Sequence, residues 1–531
     1  MLALLAACGS GSSGGTKGDA STLDKDQAGV TTAAGGAQVL AKGDPVKGGS
    51  LTMGMYAPVE SLDPAGPSAS GSLPQRAIFD SLFTYDVNGN IAPKLAKGIE
   101  TKDNGATWTM TLPSGVKFSD GTPFNSEAVE ANLERIGADG SQSRSAGDVR
   151  QIASMTTPND TTLVMKLAKP SMVFPKIFVW GQPGAPGMVP SPTAVKKYGA
   201  QFGLHPVGAG PFMVKSFKPD GEIDLVRNPN YYQKGLPYLD ALTMVPAVDT
   251  QSRLSAAEAG DIDFANTQSA TDLVAASKAG LVTLKQPAST YYDLLFNLKK
   301  APFNDVTFRK AVIEAIDLDA LNQATFDGLQ TPMSGIFPST NPYYDEAAGW
   351  PTYDPDDAKK LVAAYKAKGG NPSFSLTTTS PPEFQKQATV MQQMLKDVGI
   401  TMKINVSDQP TMVTEALSGN YQAQHRFTEV DAEVDQQLRQ LYHTGSAGNN
   451  GQAGDPTVDK LLDQLQTVPV SDTAKRKDLY NQLQVAFAKW LPIAPLIEHQ
   501  NGWYLGDKVG GFPGNFPGSA VVDFAKVWAT K

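Results

Sequence analysis

The sequence predicts a mixed α/β protein built from more than one domain, and three observations carry that prediction. Its 531 residues are several times the roughly 150 residues of an ordinary domain. Strand-like alternation dominates up to about residue 288, and beyond it helical stripes alternate with short apolar strands, the pattern of βαβ units. A composition of 41% hydrophobic and 18% charged residues supplies enough apolar surface for packed cores and excludes a wholly disordered chain.

Seven residues precede Cys8, too few to cross a bilayer that takes about 20 helical residues. Leu5-Ala6-Ala7-Cys8 resembles a bacterial lipobox, which implies cleavage before Cys8 and lipidation of it. No Lys or Arg stands ahead of the apolar run, so the signal is expected to start upstream or to have been trimmed. Residues 9–45 are rich in Gly, Ser, Thr, Ala and Asp and are expected to form a flexible tether. Gly9 to Gly14 spells GxGxxG and Gly11 to Gly15 spells GxSxG, but neither has the strand before and the helix after that those motifs need.

Order is expected from Val46, where Leu51, Met53 and Met55 alternate as in a half-buried strand. Asn88-Gly89 between Phe83 and Ile91 predicts a hairpin, because its central turn residues take positive φ. Trp108, Met110 and Leu112 alternate in a further strand. Val116 to Phe118 reads as a short strand leading through Ser119-Asp120-Gly121 into a helix near Asn125, with Glu127 and Glu130 at its positive end. Strand-like segments return from Val207 to Asp249, broken by Pro219-Asp220-Gly221. Asp305 caps a helix whose stripe is Phe308, Val312, Ala315 and Ile316. Asp354-Pro355 starts another, with Ala358, Leu361, Val362 and Tyr365 on one face. Then Phe374 to Thr378 reads as a strand, Phe384 to Val398 as a helix and Ile400 to Val406 as a parallel strand, one βαβ unit.

Charge and composition exclude several function classes. Forty-five Lys and Arg against 53 Asp and Glu give a formal charge of −8, so there is no diffuse positive field for nucleic acid. One cysteine and four histidines leave no thiolate zinc site, and no metal or cofactor is expected. His425 and His443 are read as surface or hydrogen-bonded groups rather than metal ligands. No HExxH or Walker loop is present and the one GxSxG lacks its setting, so the chain is read as no enzyme.

Several separated stretches, taken in order, identify a family. They include Ser61-Leu-Asp63-Pro64, Ile91-Ala-Pro-Lys-Leu95-Ala96, Gly115-Val-Lys-Phe118-Ser-Asp120-Gly121-Thr-Pro123-Phe124, Val207-Gly-Ala-Gly210-Pro211-Phe212, Arg227-Asn-Pro-Asn-Tyr231, Gly260-Asp-Ile-Asp263 and Pro302-Phe-Asn-Asp305. Together they cover nearly all of the chain from about residue 46. The sequence resembles the bacterial extracellular solute-binding proteins of family 5, the oligopeptide, dipeptide and nickel class. The resemblance implies a two-lobed periplasmic-binding-protein-like clamshell with an extra small domain, the cluster C arrangement. It implies a first lobe of residues 46–83, 206–288 and 498–531, an accessory domain at 84–205, and a second lobe at 289–497. It also implies a monomeric substrate-binding lipoprotein on the outer face of the cell membrane, delivering a small peptide or similarly elongated solute to the permease and ATPase of an ABC importer. Peptide sensing on the same fold is the alternative, and a secreted hydrolase a remote third.

Peptide-binding members pair an acidic residue with the α-amino group of the ligand. Here the corresponding strand is Gly419-Asn-Tyr421-Gln-Ala423, followed by Gln424-His425-Arg426-Phe427-Thr428-Glu429-Val430-Asp431. Phe427 takes the place of the family's Trp, and the acid falls on Glu429 or Asp431. Arg426 belongs to the same candidate stretch. Further candidates are Tyr56, Pro58 and Glu60 after the first strand, Trp180 beside the 181–184 loop, and Tyr291 and Tyr292 at the crossover into the second lobe, since aromatic faces at strand and loop ends suit apolar ligand groups.

Overall fold

The computed structural model describes residues 44–512 and 522–530, apart from 67–71, 87–89, 142, 144, 180–185, 287, 289, 430–434 and 447, together with the backbone of Thr31–Thr32. Cys8, Trp180 and Asp431 lie outside the described residues. Three principal sheets organise the chain. The largest has eight strands in the order Thr31–Thr32, Val282–Lys285, Gly502–Leu505, Phe264–Thr267, Ser50–Met55, Ala241–Pro246, Ile223–Arg227 and Phe212–Phe217. At its centre Ser50–Met55 runs parallel to both neighbours, and Leu51, Met53 and Met55 are buried in one core. Thr31–Thr32 pairs with Leu284 and Lys285 at the sheet edge, so the stretch expected to be tether throughout contributes one short strand. Backbone groups at an open edge can pair without any apolar side chain.

The second sheet has five strands, Thr401–Val406, Ser373–Thr378, Ala423–Glu429, Thr290–Phe296 and Ile493–His499. Ser373–Thr378 and Thr401–Val406 are parallel and are joined by the helix Pro382–Asp397, as the βαβ reading requires. Helix Val306–Glu314 is capped by Asp305, whose carboxylate accepts from the Thr307 amide. Phe308, Val312, Ala315 and Ile316 all pack into the core of this sheet. Helix Pro355–Ala367 is likewise capped by Asp354.

The third sheet is antiparallel, in the order Gly98–Thr101, Thr107–Thr111, Thr162–Leu167 and Ile152–Asn159, with helix Ser126–Gly137 packed on it. Phe83–Tyr85 and Ile91–Pro93 pair as the expected hairpin arms. Val116 to Phe118 is not a strand. The chain turns back at once, because Gly121 at positive φ closes a tight turn whose amide donates to the Phe118 carbonyl, leaving only Lys117 bridging Pro123; Phe118 and Phe124 then pack edge to face at 5.6 Å.

This antiparallel unit is fastened to the large sheet. Arg135 makes two hydrogen bonds to Asp63 at 2.8 and 3.0 Å, and Lys94 stands 3.4 Å from both Asp80 and Asp523. The Val207 to Pro211 motif lies along Ile78 and Phe79, where the Gly210 amide donates to the Ile78 carbonyl at 2.9 Å. A Cβ at Gly210 would meet that carbonyl at 2.6 Å, so only glycine fits this close approach.

Candidate functional site at the facing strand ends

The chain passes between the large and the five-stranded sheet twice, from Lys285 to Thr290 and from His499 to Gly502. The Gln286 amide donates to the Asn501 carbonyl at 3.0 Å, and Gln500 Nε2 donates to the Gln286 carbonyl at 2.8 Å. The two crossings therefore run side by side, as a double-stranded connection. Register then places the strand ends. Thr267 lies opposite Gly502, and Thr290 lies opposite both Glu429 and His499. The carboxyl ends of the parallel strands in both sheets thus point to the crossing, and carboxyl ends are where open α/β sheets bind ligands.

The site residues expected from sequence divide at this geometry. Tyr56, Pro58 and Glu60 follow directly on the carboxyl end of Ser50–Met55, the first two half-buried and Glu60 exposed. Phe427 lies two residues from the end of Ala423–Glu429 and is 42% exposed. Its ring is 4.5 Å from Tyr292, 4.8 Å from Phe384 and 4.6 Å from His499. Tyr292 itself is buried, and supports Phe427 from below. Phe384 and His499 escaped the sequence reading because they come from other elements, the helix Pro382–Asp397 and the strand Ile493–His499. Only the sheet brings them together. Glu429 ends its strand beside Thr290.

The aromatic cluster on the five-stranded sheet carries no formal charge near neutrality. His425 is buried against Tyr292 and Phe384, and burial holds its imidazole down at about 3. His499, whose Nδ1 is 3.1 Å from Thr290 Oγ1, is pushed down to about 4 by the same cause. His425 is therefore a neutral core group and not an exposed one. Among the described residues no group of three His, Cys, Asp or Glu side chains is placed to hold a metal.

The model for bacterial extracellular solute-binding proteins, family 5 (middle), matches residues 90–449. The glutathione-binding protein GsiB of Salmonella typhi is 30% identical over 404 residues, 74% of each chain. Its counterpart from Shigella flexneri is 28% identical over 468 residues, 82% of this chain and 86% of the relative. Among solved structures, the binding protein AgaA from A. tumefacien R10 in complex with agropinic acid superposes with a TM-score of 0.77 at 26% identity, covering 91% of this chain and 99% of AgaA. DppA from Helicobacter pylori in complex with the peptide STSA also gives 0.77, at 23% identity over 92% of this chain and 99% of DppA, a likeness of fold.

The chain belongs to the family 5 solute-binding proteins.

Family 5 proteins are extracytoplasmic substrate-binding components of ABC importers and not enzymes, and the two-lobed α/β fold is theirs. Two of the residues expected at the ligand are placed elsewhere in this family 5 chain. Tyr291 is fully buried, in a cluster with Tyr442 and Tyr421. Alternation along the strand turns it to the face opposite Tyr292 and into a different core. Arg426 is on that same face, with Nε 3.1 Å from Asp293 Oδ1, and Thr428 Oγ1 donates to Asp293 Oδ2 at 2.9 Å. Burial lifts the Asp293 carboxyl and Arg426 opposes it. Arg426 is occupied by this internal pair, which holds the strand in place under Phe427.

Proposed function

We propose that this protein captures a short peptide or a similarly elongated solute between the facing strand ends and passes it to an ABC permease. Tyr56, Glu60 and Phe427 contact the ligand, and an acid at Glu429 or Asp431 pairs with its amino group. The protein works as a monomer with residues 46–83, 206–288 and 498–531 as one lobe, 84–205 as its accessory domain and 289–497 as the other lobe. The observation that supports this reading best is the double crossing, which sets the half-exposed Phe427 on one sheet and Tyr56 and Glu60 on the other at the same carboxyl-end gap. Glutathione, bound by GsiB, and the peptide STSA, bound by DppA, are of the proposed class.

Native mass spectrometry of protein purified from its own envelope is expected to release a compound of peptide-like mass. Adding that compound back to stripped protein should lower the radius of gyration in X-ray scattering, because ligand between two lobes favours the closed form. An unchanged radius at saturation overturns capture by closure.

Membrane attachment through lipid on Cys8 is proposed with it, on the Leu5-Ala6-Ala7-Cys8 sequence. In the full-length precursor, Cys8→Ala is expected to move the protein from the membrane fraction to the soluble one with ligand affinity unchanged. Retention of the variant in the membrane fraction rules the anchor out.

A further inference from the structure

Away from the hinge, the unit at 84–205 touches the second lobe through the segment 172–176. The Met172 amide donates to the Gln466 carbonyl at 2.8 Å. Four residues on, Lys176 Nζ lies 2.5 Å from Asp435 Oδ1, with the lysine side chain 6% and the aspartate 0% exposed. Lys176 is presented by a 3-10 helix, Phe174–Phe178, whose Phe174, Ile177 and Phe178 are packed in the core of the antiparallel unit. That unit is bound in turn to the first lobe through Asp63, Ser81, Leu82 and Asp80. Any opening of the hinge that carries it away from the second lobe must therefore pull Lys176 off Asp435.

The carboxylate has other partners as well. Asp435 Oδ1 also accepts from Arg476 Nη2 at 2.8 Å and from Tyr480 OH at 3.0 Å, and Oδ2 accepts from Gln466 Nε2 at 3.0 Å. All three partners are in the second lobe, so the socket is complete before the ammonium arrives. A preformed socket costs little reorganisation when it is filled, and an ion pair shut away from water gains from the lower local dielectric.

We infer that Lys176 is a positioning residue for capture: its ion pair with Asp435 across the interlobe contact holds the lobes closed, independently of contacts to the solute. This rests on the clamshell reading above, and the test separates the two. Nitroxides are placed on Glu134→Cys and Lys360→Cys, exposed positions on helices Ser126–Gly137 and Pro355–Ala367, in a Cys8→Ser background. Interlobe distances are then read by double electron–electron resonance on protein stripped of ligand by unfolding and refolding. Wild-type protein is expected to show a closed population at the distance of this structure. Lys176→Gln is expected to lower the closed-to-open ratio roughly tenfold, the effect of a modest bias on a two-state equilibrium, and Lys176→Arg, which keeps the charge, to restore most of it. Melting temperature is followed in parallel. A lower melting point with an unchanged distance ratio would make the contact merely structural and overturn the inference, as would coincident distributions for wild type and Lys176→Gln. If wild-type distances fail to respond to the co-purified compound, the clamshell motion itself falls. If they respond while Lys176→Gln matches wild type, only the latch does.

Discussion

Replacing Asp435 by alanine is expected to lower the unfolding free energy of the protein by about 3 to 5 kcal/mol, the cost of leaving a buried partner charge uncompensated. The stranded groups are Lys176, 6% exposed, and Arg476, itself 0% exposed, whose other acceptors include the Leu465 and Val468 carbonyls and the Tyr480 hydroxyl. Burial pushes the Asp435 carboxyl up, but Lys176 and Arg476 more than offset it and hold it below the ordinary carboxylate range. It is thus charged, and stabilising, throughout the neutral range. That contribution is present above the unfolded value of 3.8 and is lost as pH falls through the lower folded value. Denaturant titration at pH 7 checks the size. The control is Arg439→Ala, which breaks an exposed pair with Asp463 and should cost less than about 1 kcal/mol. Equal losses in the two variants would show that the Asp435 cluster is no more than a surface pair.

Acidification from pH 7 to pH 5 is expected to destabilise the protein by about 2 kcal/mol for each of His425 and His499, roughly 4 kcal/mol together. Both start from an ordinary value of 6.5 and are held by burial at about 3 and about 4. Between those values and 6.5 the unfolded chain binds protons that the folded chain refuses. The stability is therefore complete above pH 6.5 and drains away as pH falls toward the folded values. Raised carboxyls such as Asp293 and Glu498 act with the opposite sign, so the measurement is a difference. His425→Phe keeps an aromatic ring beside Tyr292 and Phe384 and removes one titrating group. Its stability, measured by denaturant at pH 7, 6 and 5, should fall with acid by about 2 kcal/mol less than wild type. Parallel curves for the two proteins would mean that His425 is protonated in the folded state.

Much of the scaffold was legible in one dimension because its causes are local. Asp305 and Asp354 announce helices because a side-chain oxygen satisfies the free amides of the first turn, and both do so here. Phe308 and Val312 announce a buried face because helical spacing puts them on one side. The βαβ unit ending in Thr401–Val406 follows from the same reasoning, even though Val406 itself is 54% exposed at the edge of its sheet. The glycines of the Val207 to Pro211 motif were visible as a signature, but their reason was not: the backbone they accommodate is that of Ile78, more than a hundred residues earlier.

The sequence by itself determined the family, the α/β class and the absence of a charge pattern suited to nucleic acid, since these depend on composition and on motifs in order. Tertiary structure alone decided which candidates stay exposed and which are buried. Tyr291 and Tyr292 are adjacent and chemically alike, yet strand alternation sends one into the Tyr442 cluster and the other beneath Phe427. Arg426 looked available until Asp293, 133 residues away, closed on it. Lys176 and Asp435 are 259 residues apart, and neither carries any local sign of the other. A buried ion pair is made by the meeting of two surfaces, and no spacing along the chain encodes where those surfaces will meet.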